Sequence, residues 1–445
     1  MLHPYGRFCN ANHLAGEVDV FEALDDVRKH YRIDDDRTVI RGFSMGGAST
    51  WHLAVHHPDR WAAAAPGAGF SETPDFQKAY SNGATFPDWQ VRLWKLYDAT
   101  DWASNLAHLP TIAYDGEKDG QKQAADKMES SMAAEKLRLV RVTWPETGHW
   151  YHADAKPVIN AFVDKAAAKG VVKDPEEIHF TLWTLRYNKH YWITVDALEK
   201  HWHKARVDAE RNSGDSVLSV STENIAAFSL ATPRTPRSVV IDGQRVAPAT
   251  RYAKDADGNW KAAGAAPAPG KRKVHGLQGP IDDAFLESFV FVRPTGSPLT
   301  VSTGVQTARA FTKAVVDWRR AFRGDVPVVE DTALTDAQIR DSNLVLWGDP
   351  QSNAVWKRIA SKLPVSWTAE TLTVAGKTYG GADAIPVLVF PNPLNPKKYV
   401  VLNSGFTYHE HAAGSNALHT PKLPDWAVLK VADGPMQILD AGFFT

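Results

Sequence analysis

The stretch VIRGFSMGGA, residues 39–48, decides the fold of the first part of the chain. Its apolar start predicts a short buried strand, Ser44 lies in a Gly-x-Ser-x-Gly turn, and 48–56 predict a helix. Such a turn holds a serine hydroxyl clear of the backbone, beside a base, as a nucleophile requires. We predict Ser44 as the nucleophile, the alternative being a tight glycine turn with a bystander serine. Side chains at Gly42 and Gly46 are expected to collide across the turn.

The backbone N–H of Met45 has a predicted function in the same turn. Met45 follows the serine at the N-terminus of the predicted helix, where the helix dipole favours negative charge. We therefore expect this N–H to point to the place where an oxyanion would form during acyl transfer.

Two further strands, predicted over 110–114 and 138–144, precede an acid and a histidine. Strands and helices alternate up to about residue 169, which predicts a parallel sheet covered on both faces. Ligands of such sheets bind at the carboxyl ends of the strands. We expect Ser44, Asp119 and His149 to meet there, in the chain order Ser, Asp, His. His149 is the predicted general base, and Asp119 the carboxylate that holds its imidazole in the productive tautomer.

Neighbouring side chains compete for both of these functions. Asp115 and Glu117 are alternatives to Asp119, although Asp115 falls where its strand ends and is more simply a turn former. His152 is the nearest competitor of His149. The other interpretation is that His149 is an exposed loop histidine without a catalytic function.

Residues 1–205 resemble the α/β-hydrolase superfamily, and within it the prolyl-oligopeptidase-like esterases and peptidases. The signature Arg-Gly-Phe-Ser-Met-Gly-Gly at 41–47 carries the resemblance, together with four shorter segments at 4–7, 15–23, 116–119 and 148–150. The resemblance implies serine hydrolysis through an acyl-enzyme. Several relatives in this group look like carbohydrate-directed acetyl or feruloyl esterases.

The chain departs from the superfamily pattern before residue 38. The resemblance implies several strands there, and a loop after one of them that supplies a second oxyanion N–H. The residues before 38 hold one predicted helix, over 16–31, and at most the end of one strand. We therefore expect the first strands to be missing, with a truncated start or with another segment or chain covering the edge of the nucleophile strand.

The sequence predicts three domains and an α/β fold class. An α/β-hydrolase catalytic domain, apparently lacking its first strands, is predicted over 1–170. A small antiparallel β-sandwich is predicted over 171–270, with Asp242-Gly243 as a hairpin turn. A second α/β, doubly wound domain is predicted over 271–445, with a long helix over 306–323.

Composition excludes several classes of partner. The formal net charge of −1 over 445 residues gives no reason to expect nucleic acid or an anionic membrane surface as a partner. No apolar run is long enough to span a membrane. No cofactor is predicted. His201-Trp202-His203 is weak evidence for a metal, because no Cys or carboxylate ligand is near it in the sequence. His409-Glu410-His411 does not have the spacing of a helical zinc site and is taken as a loop. The sequence alone predicts no location, and secretion or a periplasmic location is expected if a signal peptide precedes Met1.

These observations predict a serine esterase acting on a small-molecule or polysaccharide-linked ester, of the acetyl or feruloyl type. A prolyl-oligopeptidase-like peptidase is the second hypothesis. The third is a catalytically weak hydrolase fold that serves as a binding module, because the missing strands would remove an oxyanion donor.

Overall fold

The computed structural model describes residues 1–4, 6–7, 10–212, 216–232, 236–265, 272–408, 419–432 and 437–444. Within these residues the chain divides into two compact units. One unit comprises 1–4, 6–7, 10–86, 94–212, 216–232 and 236–265, and the other comprises 87–93, 272–408, 419–432 and 437–444.

The first unit begins with the predicted alternation of helices and strands. Its elements are, in chain order, α1 (Ala15–His30), β1 (Val39–Phe43), α2 (Met45–His56), β2 (Ala63–Gly67), α3 (Thr73–Phe76), β3 (Ile112–Gly116), α5 (Lys122–Ala134), β4 (Val140–Trp144) and α6 (Ala155–Lys169). Helix α4 (Asp88–Trp94) lies between α3 and β3 in the sequence, but its residues 88–93 belong to the second unit. The strands pair in parallel in the order β1-β2-β3-β4. The predicted parallel α/β sheet is therefore confirmed.

Small side chains let helices approach this sheet closely. Strand β2 has the sequence Ala-Ala-Ala-Pro-Gly, and all five residues are buried. On one face Ile159 and Val163 of α6 pack on Ala63, Ala65 and the other buried residues of the sheet. Helix α2 is buried along its whole length from 47 to 56, as expected for a helix inside an α/β core rather than on its surface.

Residues 177–262 form the second part of the first unit, and their fold is a pair of β-sheets. The strands are β5 (Glu177–Leu182), β6 (Lys189–His190), β7 (Ile193–Leu198), β8 (Ala205–Asn212), β9 (Val217–Glu223), β10 (Ile225–Leu230), β11 (Ser238–Ile241), β12 (Gln244–Val246), β13 (Arg251–Lys254) and β14 (Trp260–Ala262). They pair in the orders β14-β13-β10-β7-β6 and β12-β11-β9-β8-β5.

The hairpin at Asp242-Gly243 is confirmed, since both residues have positive φ and β11 pairs with β12 across them. The sheets are not wholly antiparallel, however. Strands β9 and β11 pair in parallel, because β10 leaves for the other sheet between them. The pattern of apolar and polar residues does not indicate that β10 crosses to the other sheet.

Asn105 joins the hydrolase part of the first unit to the β-sheets. Its side-chain amide donates to the carbonyl oxygens of Val55 (2.9 Å) and Thr181 (3.1 Å), and its Oδ1 accepts from the N–H of Thr181 (2.8 Å). The hydroxyls of Ser104 and Thr181 lie 2.8 Å apart. These buried bonds connect residues on both sides of the predicted boundary at 170/171, within one compact unit. The division into three domains stays a prediction, and its 270/271 boundary lies outside the described residues.

The second unit is built on a mixed sheet. Its elements are β15 (Phe289–Arg293), α7 (Val301–Phe322), β16 (Val328–Glu330), α8 (Asp336–Asp341), β17 (Asn343–Leu346), α9 (Ala354–Ile359), β18 (Val365–Trp367), β19 (Thr371–Val374), β20 (Lys377–Gly380), β21 (Ala384–Asn392), β22 (Asn395–Leu402), β23 (Trp426–Lys430) and β24 (Ile438–Gly442). Strands β16-β15-β17-β22 are parallel neighbours, and β22-β21-β23-β24 are antiparallel neighbours.

The predicted α/β class of this unit is confirmed, and only part of its sheet is parallel. The doubly wound pattern predicted for 271–445 does not extend to β21 and β22, because the short connection between them makes an antiparallel hairpin. The predicted long helix starts five residues earlier than expected, at Val301, after a Thr300 N-cap whose side chain accepts from the N–H of Thr303.

Candidate active site

Ser44 lies in a strained turn between β1 and α2. Its φ of 56° and ψ of −119° are values that non-glycine residues rarely adopt, at a cost of about 1–3 kcal/mol. The N–H of Ser44 donates to the carbonyl oxygen of Gly67 at the end of β2 (2.8 Å), which holds the turn in place. Helix α2 starts at Met45, so the Met45 N–H has no intrahelical acceptor.

The glycines of this turn are not equally necessary. A Cβ on Gly42 would lie 2.2 Å from the carbonyl oxygen of Gly46, so the predicted collision at Gly42 is confirmed. A Cβ on Gly46 would have no atom of a neighbouring element within 4 Å, so the predicted collision there is wrong. The reason is geometric: Gly46 already belongs to α2, and its Cβ direction leads away from the turn.

Two other glycines bring β2 against the start of α2. A Cβ on Gly47 would lie 2.3 Å from the carbonyl oxygen of Gly67, and one on Gly69 would lie 2.1 Å from the nitrogen of Ala48. The sequence reasoning missed both. The double glycine at 46–47 and the Pro-Gly-Ala-Gly run at 66–69 were the available signals.

His149 lies between Ser44 and Asp119. Its Nε2 is 2.8 Å from Ser44 Oγ, and its Nδ1 is 2.9 Å from Asp119 Oδ2. The Asp119 side chain is only 2% exposed, whereas that of His149 is 43% exposed. Asp119 Oδ1 accepts from the N–H of Gln121 (2.8 Å), so both carboxylate oxygens are held. The structure thus brings together the three side chains that the sequence analysis singled out, at the carboxyl ends of β1, β3 and β4.

The loops that carry Asp119 and His149 are joined through their backbones. The N–H of Glu117 donates to the carbonyl oxygen of Trp144, and that of Lys118 donates to Thr147, both at 2.9 Å. A Cβ on Gly116 would lie 2.3 Å from the carbonyl oxygen of Thr147, so this approach requires glycine. These contacts between the residues that follow β3 and β4 therefore fix the distance between Asp119 and His149.

The competing acids are engaged elsewhere. Asp115 is fully buried and pairs with Arg141 (2.9 Å). Burial raises the pKa of Asp115, and the hydrogen bond and charge of Arg141 oppose this. Glu117 accepts from the backbone N–H of Glu146 (2.9 Å).

His152 does not take the place of His149. Its ring stacks on Trp144 at 4.9 Å between centroids, and its Nδ1 accepts from the N–H of Asp154 (3.3 Å). The imidazole of His152 therefore contacts β4 and its own loop, and not Ser44 or Asp119.

Aromatic side chains surround His149. The ring of Phe43 lies 4.9 Å from the imidazole and 4.8 Å from Tyr151. Trp150 is 54% exposed although it follows His149 directly, and its indole lies over Gly148, where a Cβ would be 2.5 Å from the ring. The sequence analysis did not single out Trp150 as a site residue.

Strand β1 pairs with β2 on one side, and in the described residues it forms one edge of the sheet. This is the edge beside which the sequence analysis expects the first strands of the superfamily pattern to be missing. The Met45 N–H, at the start of α2, is the group of this turn that the sequence analysis predicts as an oxyanion donor.

Among the described residues, no three or more His, Cys, Asp or Glu side chains are grouped so that they could hold a metal ion. His409-Glu410-His411 lies outside those residues. No helix in the described part of the chain is both long and apolar enough to cross a membrane.

Comparison with known proteins agrees with this architecture. Residues 14–161 match the model of the prolyl oligopeptidase family. An uncharacterized secreted protein of Arthroderma benhamiae is 25% identical over 303 residues, which is 62% of this chain but only 31% of that protein's length.

Two solved structures are also similar to part of this chain. An S-formylglutathione hydrolase of Agrobacterium tumefaciens is 22% identical over 35% of this chain and 58% of that one, with a TM-score of 0.28. A puromycin-hydrolyzing peptidase of Mycobacterium tuberculosis is 19% identical over 34% of this chain and 25% of that one, with a TM-score of 0.28.

The matched segment contains the Gly-x-Ser-x-Gly turn, Asp119 and His149 on a parallel α/β sheet. Residues 14–161 therefore have a parallel sheet of the α/β-hydrolase type and are similar to the prolyl oligopeptidase family.

Proposed function

We propose that this protein is a serine esterase in which Ser44, His149 and Asp119 act as a catalytic triad. The observation that carries the proposal is the pair of hydrogen bonds that His149 makes, 2.8 Å to the Ser44 hydroxyl and 2.9 Å to the buried Asp119 carboxylate. A nucleophile, a base and a group that orients the base, within hydrogen-bonding distance, are what acyl transfer requires.

In the proposed reaction Ser44 Oγ attacks the acyl carbon while its proton passes to His149 Nε2. The oxyanion accepts a hydrogen bond from the Met45 N–H. His149 then gives its proton to the leaving alkoxide, and an acyl-enzyme remains on Ser44. Water, deprotonated by His149, attacks this ester, and the proton then passes from His149 to Ser44 Oγ as the acid leaves. Asp119 stabilises the imidazolium and holds its Nδ1–H throughout.

Two observations bear on the substrate. His149 is partly exposed, so the site is open to solvent. The exposed indole of Trp150, next to His149, is suited to stacking against an aryl or sugar ring. We therefore favour esters that carry such a ring, including acetyl or feruloyl esters of polysaccharides.

The test is labelling of the whole chain with a fluorophosphonate probe, followed by peptide mapping, and assay of aryl acetate and feruloyl esters. Ser44→Ala is expected to abolish labelling and to lower kcat by at least about 10³-fold. The matched control is Ser49→Ala, which removes a hydroxyl five residues further along α2 that bonds to Asn12 (2.6 Å). Full esterase activity in Ser44→Ala would contradict the proposal.

A peptidase is the second candidate, supported by the family match of residues 14–161. Faster turnover of aminoacyl anilides than of esters by the same Ser44-dependent site would favour it. A binding module is the third candidate, supported by the position of β1 at the sheet edge. A folded protein that binds polysaccharide but does not label at Ser44 would favour this candidate.

The proposed location is outside the cytoplasm. The support is the curated relative from Arthroderma benhamiae, which is described as secreted. Immunodetection in the medium or periplasm of the native organism would support this location, and detection in the cytoplasm alone would contradict it.

A further inference from the structure

Tyr114 holds the loop that follows His149. It lies in the middle of β3, is 1% exposed, and stacks on Tyr151 with 4.5 Å between the ring centroids. Its hydroxyl donates to the carbonyl oxygen of Trp150 (2.7 Å) and accepts from the N–H of His152 (2.8 Å). One phenol oxygen thus bridges the backbone on both sides of Tyr151.

The two sides of His149 are held by different means. Before it, the backbone bonds of Glu117 to Trp144 and of Lys118 to Thr147 hold the loop to the end of β3. After it, the Tyr114 hydroxyl bridges residues 150 and 152. Burial raises the pKa of Tyr114, which keeps the phenol protonated and able to donate. His149 therefore lies between two anchors, both of which originate in β3 and its following loop.

From this placement we infer that the Tyr114 hydroxyl is a positioning group for catalysis, which keeps the His149 imidazole aligned between Ser44 and Asp119. The inference rests on the proposed hydrolase function. Tyr114 makes no contact with the reacting atoms and acts through the loop. Removing its hydroxyl would leave the Trp150 carbonyl and the His152 N–H without this partner and would let the loop shift.

The decisive variant is Tyr114→Phe, which keeps the ring stack and removes the bridge. A displacement of about 1 Å in a catalytic group lowers rates by about 100-fold, so we expect kcat to fall about 10- to 100-fold. KM should change less than about twofold, because Tyr114 is not in contact with substrate. The rate of fluorophosphonate labelling at Ser44 should fall by the same factor as kcat.

The matched control is Tyr151→Phe. Tyr151 belongs to the same aromatic stack, but its hydroxyl faces Gly67 rather than the backbone of residues 150 and 152. Its loss should change kcat less than about threefold. If both variants lower kcat equally, or if Tyr114→Phe changes only the melting temperature, the positioning function is wrong.

A double variant separates this inference from the proposed function. If Tyr114 acts through His149, then adding Tyr114→Phe to His149→Ala should lower the residual activity no further. A further 10-fold loss in that background would overturn the inference. If Ser44→Ala and His149→Ala themselves keep full activity, the proposed function fails, whatever Tyr114→Phe does.

Discussion

The Cα of Gly42 in β1 faces the carbonyl group of Gly46 in α2, and a Cβ on Gly42 would lie 2.2 Å from that oxygen. The Cβ has a fixed position and the atoms it would meet belong to the Gly46 backbone, so no side-chain rotation can relieve the overlap. We expect Gly42→Ala to lower the free energy of unfolding by about 1–3 kcal/mol and to displace Ser44. Urea unfolding and probe labelling at Ser44 would measure both effects.

Gly46→Ala is the control for that prediction. The added methyl group meets no atom of a neighbouring element, and alanine favours helix. Stability should therefore change by less than about 1 kcal/mol. Equal destabilisation by the two variants would show that the turn differs from the one described.

Asp119 and Asp115, four residues apart, are expected to affect different properties. Asp119→Asn removes the carboxylate that faces His149 Nδ1, so kcat should fall about 10³- to 10⁴-fold with little loss of stability. Asp115→Asn weakens the buried pair with Arg141 and should lower stability by about 1–3 kcal/mol. Steady-state kinetics and urea unfolding on both variants would check this, and the opposite assignment of effects would restore Asp115 as the competing acid.

Glu17 is a buried carboxylate at the start of α1. Its Oε1 accepts from Nε2 of His57 (2.8 Å), the Tyr187 hydroxyl donates to its Oε2, and Arg186 lies 3.8 Å away. Burial alone raises its pKa, but the charge of Arg186 and the His57 bond outweigh burial and lower the pKa below the ordinary value of 4.5. Its stabilising effect is therefore present above pH 4.5 and is lost as the pH falls below that value.

Glu17→Gln should consequently lower the free energy of unfolding by about 3 kcal/mol at pH 7. It should also reduce the decrease in the free energy of unfolding as the pH falls below 4.5. Urea unfolding across this range would measure both. The control is Glu22→Gln on the same helix, an exposed partner of Arg7, which should cost less than about 1 kcal/mol. An unchanged acid dependence in Glu17→Gln would contradict the prediction.

Trp150→Ala tests the substrate class. If the indole stacks on a ring of the substrate, its loss should raise KM for feruloyl or aryl esters about 3- to 10-fold, as expected for an aromatic contact of about 0.5–1.5 kcal/mol. Acetate esters of small alcohols, which have no ring to stack, serve as the control substrates and should be unaffected. Equal changes for both substrate classes would remove Trp150 as a specificity determinant.

The sequence by itself determined the parallel α/β sheet of residues 39–144 and the candidates Ser44, Asp119 and His149. These features are local: each of the three residues follows its own strand, and parallel strands bring their carboxyl ends to one edge. The Asp242-Gly243 hairpin was predictable for the same reason, because two adjacent residues set the turn.

Only the tertiary structure decided what depends on distant segments meeting. It showed that a Cβ on Gly42, Gly47 or Gly69 would overlap backbone atoms around the start of α2, whereas a Cβ on Gly46 would not. It showed the Asn105 bonds that join the hydrolase part to the β-sheets, the parallel pairing of β9 with β11, and the Tyr114 bridge. Each of these is a contact between residues far apart in the chain, and hydrophobic periodicity and motif spacing report only on neighbours in sequence.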